Sequence, residues 1–282
     1  MGRSDGRLLK SLSPFVRIIP HIMTRRSDAQ NFYKQVVVVD KIDQYIKEKK
    51  AQGIELNYLH LFIGVYVRVL AQRPQLNRFV MNNRIYARHD ILISMAIKRY
   101  LKDEGEETTV KFFFTGLESI EEIVEIVDRT IKESCAAGTV NDVDTIARGI
   151  MSLPNGLVKL LVGTLKEMDR LNLLPRKIIE ASPFHTSLFF TYLKSINLDF
   201  IYHHLYDFGT TGIFVALGKV KKLPVVEGEQ VVVKKCCEIG YALDERICDG
   251  LYYSNSFKLV KKYLTNPYLL DERLEKVEED VH

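Results

Sequence analysis

The chain lacks an apolar run long enough to cross a bilayer: the longest, Tyr58 to Ala71, is too short and is interrupted by His60 and Arg68. No cleavable signal begins it. The opening Met1-Gly2-Arg3-Ser4-Asp5-Gly6 fails the myristoylation pattern, because Gly6 stands where Ser or Thr belongs. The four cysteines, Cys135, Cys236, Cys237 and Cys248, have no zinc-type spacing. Cys236 and Cys237 are adjacent in a β-like run that sends them to opposite faces. Free thiols in a reducing cytosol, and so a cytoplasmic protein, are the expectation. A basic arm is also missing: net charge is +4 with Lys and Arg dispersed, which argues against nucleic-acid binding. Repeats, low-complexity segments and Pro/Ala-rich linkers are absent, which points to one domain, residues 23–270, between an N-terminal segment 1–22 and an acidic tail 271–282.

What is present is an ordinary globular composition, 46% hydrophobic and 27% charged over 282 residues, enough for a large buried core. Residues up to Leu9 read as loose. Gln35 to Asp40 reads as a strand, Lys41 to Gln52 as a helix closed by Gly53, and Asn57 as the cap of a helix reaching Gln72 before Pro74. Phe79 to Ala87 reads as a hairpin turning at Asn82-Asn83. Ile91 to Leu101 and Thr108 to Phe114 read as strands joined by a charged loop through Asp103-Glu104-Gly105. Ile120, Ile123, Val124 and Val127 give Glu118 to Cys135 a helical stripe. Val140 to Leu174 reads as helical with a break at Pro154-Asn155-Gly156. Leu188 to Leu193, Thr211 to Lys219 and Gln230 to Ala242 read as strands, the last two joined by a turn within Val225 to Gln230. Ser254 to Tyr263 reads as a helix, and the tail from Asp271 as frayed.

Four stretches in order carry a family resemblance. They are Met23-Thr24-Arg25-Arg26-Ser27 with Val36 to Asp40; Leu56 to Leu59 followed by Arg73-Pro74-Gln75-Leu76-Asn77; Gly218-Lys219 with Pro224-Val225-Val226; and Asp244-Glu245-Arg246-Ile247-Cys248-Asp249-Gly250 with Asn266-Pro267-Tyr268-Leu269-Leu270. Together they resemble the catalytic domain of the acyltransferase components of 2-oxoacid dehydrogenase complexes, and chloramphenicol acetyltransferase, which shares that fold. The resemblance implies an α/β fold: a two-layer sandwich, with a mixed sheet and helices on one face, assembling as a homotrimer. It further implies coenzyme A or acyl-CoA as substrate, no metal, and a small-molecule acyl acceptor reaching a channel between subunits. No lipoyl or subunit-binding domain precedes the matched region, so a complete complex core subunit is not expected.

The last stretch corresponds to a D-H-R-x-x-D-G motif whose His is Glu245 in this chain. The family's His takes a proton from the attacking thiol or hydroxyl. With ordinary pKa values of ~6.5 for imidazole and ~4.3 for Glu, the exchange costs about 3 kcal/mol, or about a hundredfold in rate, unless burial raises the carboxylate. The alternative for Glu245 is a surface or salt-bridged Glu. The resemblance implies that Asp249 pairs with Arg25 or Arg26 to fix the loop, and Gly250 is read as permitting a tight turn into the last helix. An oxyanion hydroxyl would come from Thr191, in Phe189-Phe190-Thr191-Tyr192; an ordinary strand threonine is the equal alternative. His185, His203 and His204 are candidate substitute bases, with at most one of the adjacent pair facing a pocket. Gly209-Thr210-Thr211 is a candidate phosphate-contacting loop, with a simple turn as the alternative. The apolar helix Leu157 to Leu174 reads as core packing; a wall for a long acyl chain, a subunit contact and a membrane-surface patch are the other readings. A catalytically inactive relative, binding CoA or serving as a scaffold, is the alternative function.

Overall fold

A computed structural model describes residues 3–98, 107–135 and 142–282. The elements follow in chain order: β1 (Gly6–Leu8), α1 (Pro14–Ile22), β2 (Gln30–Val38), α2 (Asp40–Ala51), α3 (Tyr58–Gln72), β3 (Arg78–Met81), β4 (Arg84–Arg88), β5 (Ile91–Lys98) and β6 (Glu107–Phe114). Then come α4 (Ile120–Cys135), α5 (Asp142–Met151), α6 (Asn155–Arg170), α7 (Arg176–Ala181), β7 (Leu188–Tyr192), β8 (Ile213–Glu227), β9 (Gln230–Asp244) and α8 (Gly250–Thr265). The charged loop through Asp103-Glu104-Gly105 and the helix start at Val140 fall outside the described residues.

Local chemistry explains most boundaries. The Asn57 side chain accepts the His60 amide at 3.3 Å and starts α3, and the helix stops just before Pro74. Asn82 and Asn83, both at positive φ, make the two-residue turn between β3 and β4. Gly228, at φ 62°, turns β8 into β9.

The main sheet is mixed, in the order β2-β9-β8-β7-β5-β6, with β7 parallel to both neighbours and the other pairs antiparallel. Alternation divides each strand between two faces. Ile213, Val215, Leu217, Ile239, Tyr241 and Leu243 point to the main core under the helices, whereas Phe189, Phe214 and Ala242 belong to a small outer cluster with Leu205. Helix α3 is buried from Tyr58 through Ala71, as its nearly continuous apolar sequence requires. Its Arg68 survives burial by donating to the Glu272, Glu118 and Leu270 carbonyls. A second sheet, β1-β4-β3, stands beside the first.

Both ends of the chain differ from the sequence expectation. Residues near the N-terminus are not loose: β1 pairs with β4, and Arg3 and Asp5 are buried in a two-point ion pair. The tail is not frayed. Asp280 pairs with buried Arg78, the Glu278 amide donates to the Ala71 carbonyl, and Arg7 donates to the Asp280 and Val281 carbonyls. Acidic composition marked solvation in the sequence, but the buried arginine of β3 gives one of those acids a partner. Helix α1 was not anticipated, although Ser13 caps it and Pro14 occupies its first turn. The core-packing expectation for Leu157 to Leu174 fails too. Within α6 only Asp169 is buried; Val158, Leu161, Val162, Leu165 and Met168 are half-buried, and Leu157 and Leu160 are 50% and 67% exposed.

Candidate active site around the Asp244 to Gly250 turn

Strand β9 ends at Asp244, which is fully buried. Its carboxylate receives Nε and Nη2 of Arg246, both at 2.8 Å, together with the Arg246 backbone amide at 3.1 Å. Its amide donates to the Gly212 carbonyl, and its own carbonyl accepts the Tyr253 hydroxyl at 2.9 Å. Arg246 reaches on to the Met23 carbonyl at 3.1 Å, so the turn is fastened to the segment after α1. Arg26 also faces Asp244, with Nε 3.4 Å from Oδ2. Its Nη atoms donate to the carbonyls of Tyr206, Val80 and Gly209. Two guanidinium groups therefore share one buried carboxylate. Burial lowers the pKa of Arg26, and the adjacent Arg246 lowers it further while Asp244 opposes both.

This arrangement corrects the expected Asp249 pairing. The N-terminal arginine, Arg26, pairs with the first aspartate of the motif, Asp244. Asp249 is exposed, and its carboxylate accepts the Tyr252 amide at 2.8 Å as the N-cap of α8. Arg25 is exposed and takes no part in either pair. The tight-turn role of Gly250 is not required either, since its φ is not left-handed and a Cβ there would meet only open space.

Glu245 is half-buried at the start of the turn. The Asn31 amide group donates to Oε2 at 2.7 Å, and the Glu245 amide donates to the Ala29 carbonyl at 2.9 Å. Glu245 lines a cavity of about 250 Å³ together with Phe15, Val16, Ile19 and Met23 and with Gln75, Arg78, Arg246, Cys248 and Asp249. Burial pushes the Cys248 thiol up to about 12, so it remains protonated near neutrality and is no nucleophile. The apolar wall comes from α1, a helix that the sequence reading missed. Its Val16 and Ile19, three residues apart after Ser13-Pro14, were the available signal.

The other candidates lie elsewhere. His185 is completely buried, with Nδ1 2.8 Å from Ser182 Oγ and Nε2 2.9 Å from Asp169 Oδ2. Burial lowers its pKa, with Asp169 pulling the other way. With both ring nitrogens engaged, His185 is a structural histidine. His203 stacks on Phe214 with centroids 4.3 Å apart, and its buried Nε2 has no partner. His204 is exposed and meets Tyr206 edge-on. Thr191 projects from the outer face of β7 and is paired with Ala216, which is paired in turn with Gly240. Glu245 therefore lies roughly 16 Å further along β9 and about 10 Å across two strands from Thr191. One chain does not bring these two side chains to one substrate atom.

The loop Gly209-Thr210-Thr211 is a structural turn. The Thr210 and Thr211 amides and the Thr211 hydroxyl all donate to the Phe184 carbonyl, at 2.8, 3.1 and 2.8 Å. The Thr210 hydroxyl oxygen accepts Arg88 Nη2 at 2.8 Å. Gly209 sits at φ 81°, where a Cβ would come within 2.3 Å of the Phe184 oxygen. The two threonine amides and the Thr211 hydroxyl are therefore used within the fold, while Gly209 lines a cavity shared with Arg25, Arg26 and Arg246.

A buried ionic cluster escaped the sequence reading altogether. Asp169 joins Arg3 at 2.9 Å and His185 at 2.9 Å, while Asp5 joins Arg3 at 2.7 Å and faces Arg88 at 3.8 Å. Both arginines also lie over the Phe79 ring. No local pattern marks these residues, which come together from the segment before β1, β4, α6 and the loop before β7. Among the described residues, no group of three or more His, Cys, Asp or Glu side chains is placed to hold a metal ion, and no helix is long and apolar enough to cross a membrane.

Comparison with known proteins agrees with the fold. Residues 210–271 match the family profile of the 2-oxoacid dehydrogenase acyltransferase catalytic domain. A probable dihydrolipoamide acetyltransferase from Listeria monocytogenes is similar over 91% of this chain and 93% of that one, with a TM-score of 0.56 at 16% identity. The dihydrolipoamide acetyltransferase of Azotobacter vinelandii gives 0.57 at 11% identity, covering 93% of each chain. Chloramphenicol acetyltransferase gives 0.54 at 11% identity, covering 92% of this chain and 99% of that one. No curated protein matches the sequence. The chain has the two-layer fold of these acyltransferase cores, with a mixed sheet and its main helical layer on one face.

Proposed function

We propose that the protein transfers an acyl group between coenzyme A and a small thiol, hydroxyl or amine acceptor, with Glu245 as the base. The observation that carries this reading is the position of Glu245. It stands on a turn within the segment that matches the acyltransferase profile, and it lines a cavity shared with the apolar residues of α1 and with the ion-paired Arg78 and Arg246. In the forward step the carboxylate accepts the acceptor's proton as the acceptor heteroatom attacks the thioester carbonyl. The tetrahedral intermediate then collapses, the C–S bond breaks, and the CoA thiolate takes up the proton. The separation of Thr191 from Glu245 within one chain supports a site completed by a second copy, and a homotrimer is the assembly we propose. A cytoplasmic location and a single domain, which takes in both ends of the described chain, belong to the same proposal.

Acyl-CoA hydrolysis and transfer assays on the purified protein test this reading, with Glu245→Gln expected to lower turnover by at least ~100-fold. Turnover that is absent, or unchanged by the substitution, removes the catalytic assignment. A second reading, an inactive relative that binds CoA or serves as a scaffold, draws support from the engagement of both His185 ring nitrogens and from the commitment of the Thr210 and Thr211 amides to the Phe184 carbonyl. Calorimetric titration with CoA divides that reading, because binding without turnover leaves a CoA-binding subunit and no binding leaves a scaffold.

A further inference from the structure

Arg246 also lines a second cavity, of about 380 Å³, with Arg25, Arg26, Lys166, Arg170 and Gly209 together with Glu167, Asp169 and Asp207. The acids are already engaged. Glu167 holds Arg170 at 2.7 Å, Asp169 is held by Arg3 and His185, and Asp207 accepts the Ser27 amide and hydroxyl at 3.0 and 3.1 Å. The Ser27 donors are neutral, so the charge of Asp207 still acts on the nearby Arg26. Arg26 and Arg246 share the single carboxylate of Asp244, and Arg26 Nε, buried within a side chain 3% exposed, has no hydrogen-bond partner. Among the described residues, Arg25 and Lys166 have no ion-pair or hydrogen-bond partner, and both are exposed on this cavity.

Cations outnumber acids in the lining, Arg25, Arg26, Lys166, Arg170 and Arg246 against Glu167, Asp169 and Asp207, and the unengaged Arg25 and Lys166 are placed to supply charge-assisted contacts to an anion. Burial and the neighbouring guanidinium both disfavour the charged form of Arg26, an effect that a bound anion would offset. From this geometry we infer that the cavity is a binding site for a phosphate group, either as a free phosphate compound or as part of a phosphorylated cofactor. The fixed pair Arg26 and Arg246 forms its floor. Arg25, from the segment after α1, and Lys166, from α6, are the adjustable arms. It does not depend on acyl transfer at Glu245, which lines the other cavity.

The test is calorimetric titration of the full chain with inorganic phosphate and with pyrophosphate, followed by CoA added in competition. Saturable binding that weakens with added salt is expected. The double variant Arg25→Gln/Lys166→Gln, both at exposed positions, should raise the dissociation constant at least ~10-fold. Lys47→Gln, which removes an exposed charge on α2 outside the cavity, should leave it unchanged. Displacement of phosphate by CoA assigns the site to a phosphate of that cofactor, and binding that CoA does not displace assigns it to a separate phosphate compound. The inference is overturned if none of the three ligands binds saturably, or if binding is indifferent to the double variant. Thioester turnover is read separately, so loss of the catalytic reading and loss of this site give different results.

Discussion

Arg78 and Asp280, 202 residues apart in sequence, form a two-point ion pair, with Nε and Nη2 at 2.6 and 2.7 Å from the two carboxylate oxygens. Both side chains are only 4% exposed. Arg78 also donates to the Ile247 carbonyl and lines the cavity of Glu245, so the C-terminal tail braces one wall of the candidate active site.

Removing the acid should leave a buried guanidinium without its counter-charge. Asp280→Ala is expected to destabilise the protein by about 3–5 kcal/mol, whereas Glu279→Ala, at an exposed neighbouring position, should change stability by less than about 0.5 kcal/mol. Urea unfolding of the two variants beside the parent protein checks this. Equal effects would mean that the tail is not docked through Asp280.

The two aspartates of the motif are expected to behave very differently. Asp244 neutralises two buried guanidinium groups, and Asp249 caps a helix at the surface. Asp244→Asn should cost about 3 kcal/mol or more, and Asp249→Ala about 1 kcal/mol. Thermal and urea unfolding read both. A larger loss at Asp249 than at Asp244 would restore the pairing that the family resemblance implied.

Most strands and their turns could be read from sequence because their causes are local, whereas β1 and the first half of β2 could not. Asn82-Asn83 and Gly228 mark hairpins through the φ values they tolerate, and Asn57 with Pro74 brackets α3 through capping and the missing proline amide. The ionic cluster could not be read, because Arg3 meets Asp169 across 166 residues and nothing near either residue announces the other. The same reason hid the docking of Asp280. Helix α6 failed differently: its apolar residues fill more than one stripe, so periodicity alone gave no buried side. At the motif, the position of Glu245 was legible, but its surroundings were not, since they come from α1 and from Arg78 of β3.

Two glycines offer a sharper contrast. Gly209→Ala should be severely destabilising, by about 3 kcal/mol, because φ is left-handed and the new Cβ meets the Phe184 carbonyl. Gly250→Ala should be neutral or stabilising by up to about 1 kcal/mol, since it begins α8 with open space around it. Midpoints of urea unfolding at a common m-value decide the point. A destabilised Gly250→Ala variant would revive the tight-turn role.

Lys111, on the outer face of β6, donates to the Ile179 and His185 carbonyls at 3.1 and 3.2 Å. Burial, with nearby Arg88 acting in the same direction, pushes its amine down to about 7. In the unfolded chain the amine keeps a pKa of ~10.4, so between those values the unfolded state binds more protons than the folded one. The stability penalty for burying this lysine is therefore complete below pH 7 and is relieved as the pH rises towards 10. In Lys111→Met that dependence disappears, while the two carbonyls lose their donor at every pH. The stability of the parent protein relative to the variant should accordingly increase from pH 6.5 to pH 9.5, whichever is the more stable at the lower pH. Urea unfolding of both proteins at the two pH values measures the difference. A difference that is constant, or that shrinks, would show that the amine stays charged in the folded protein.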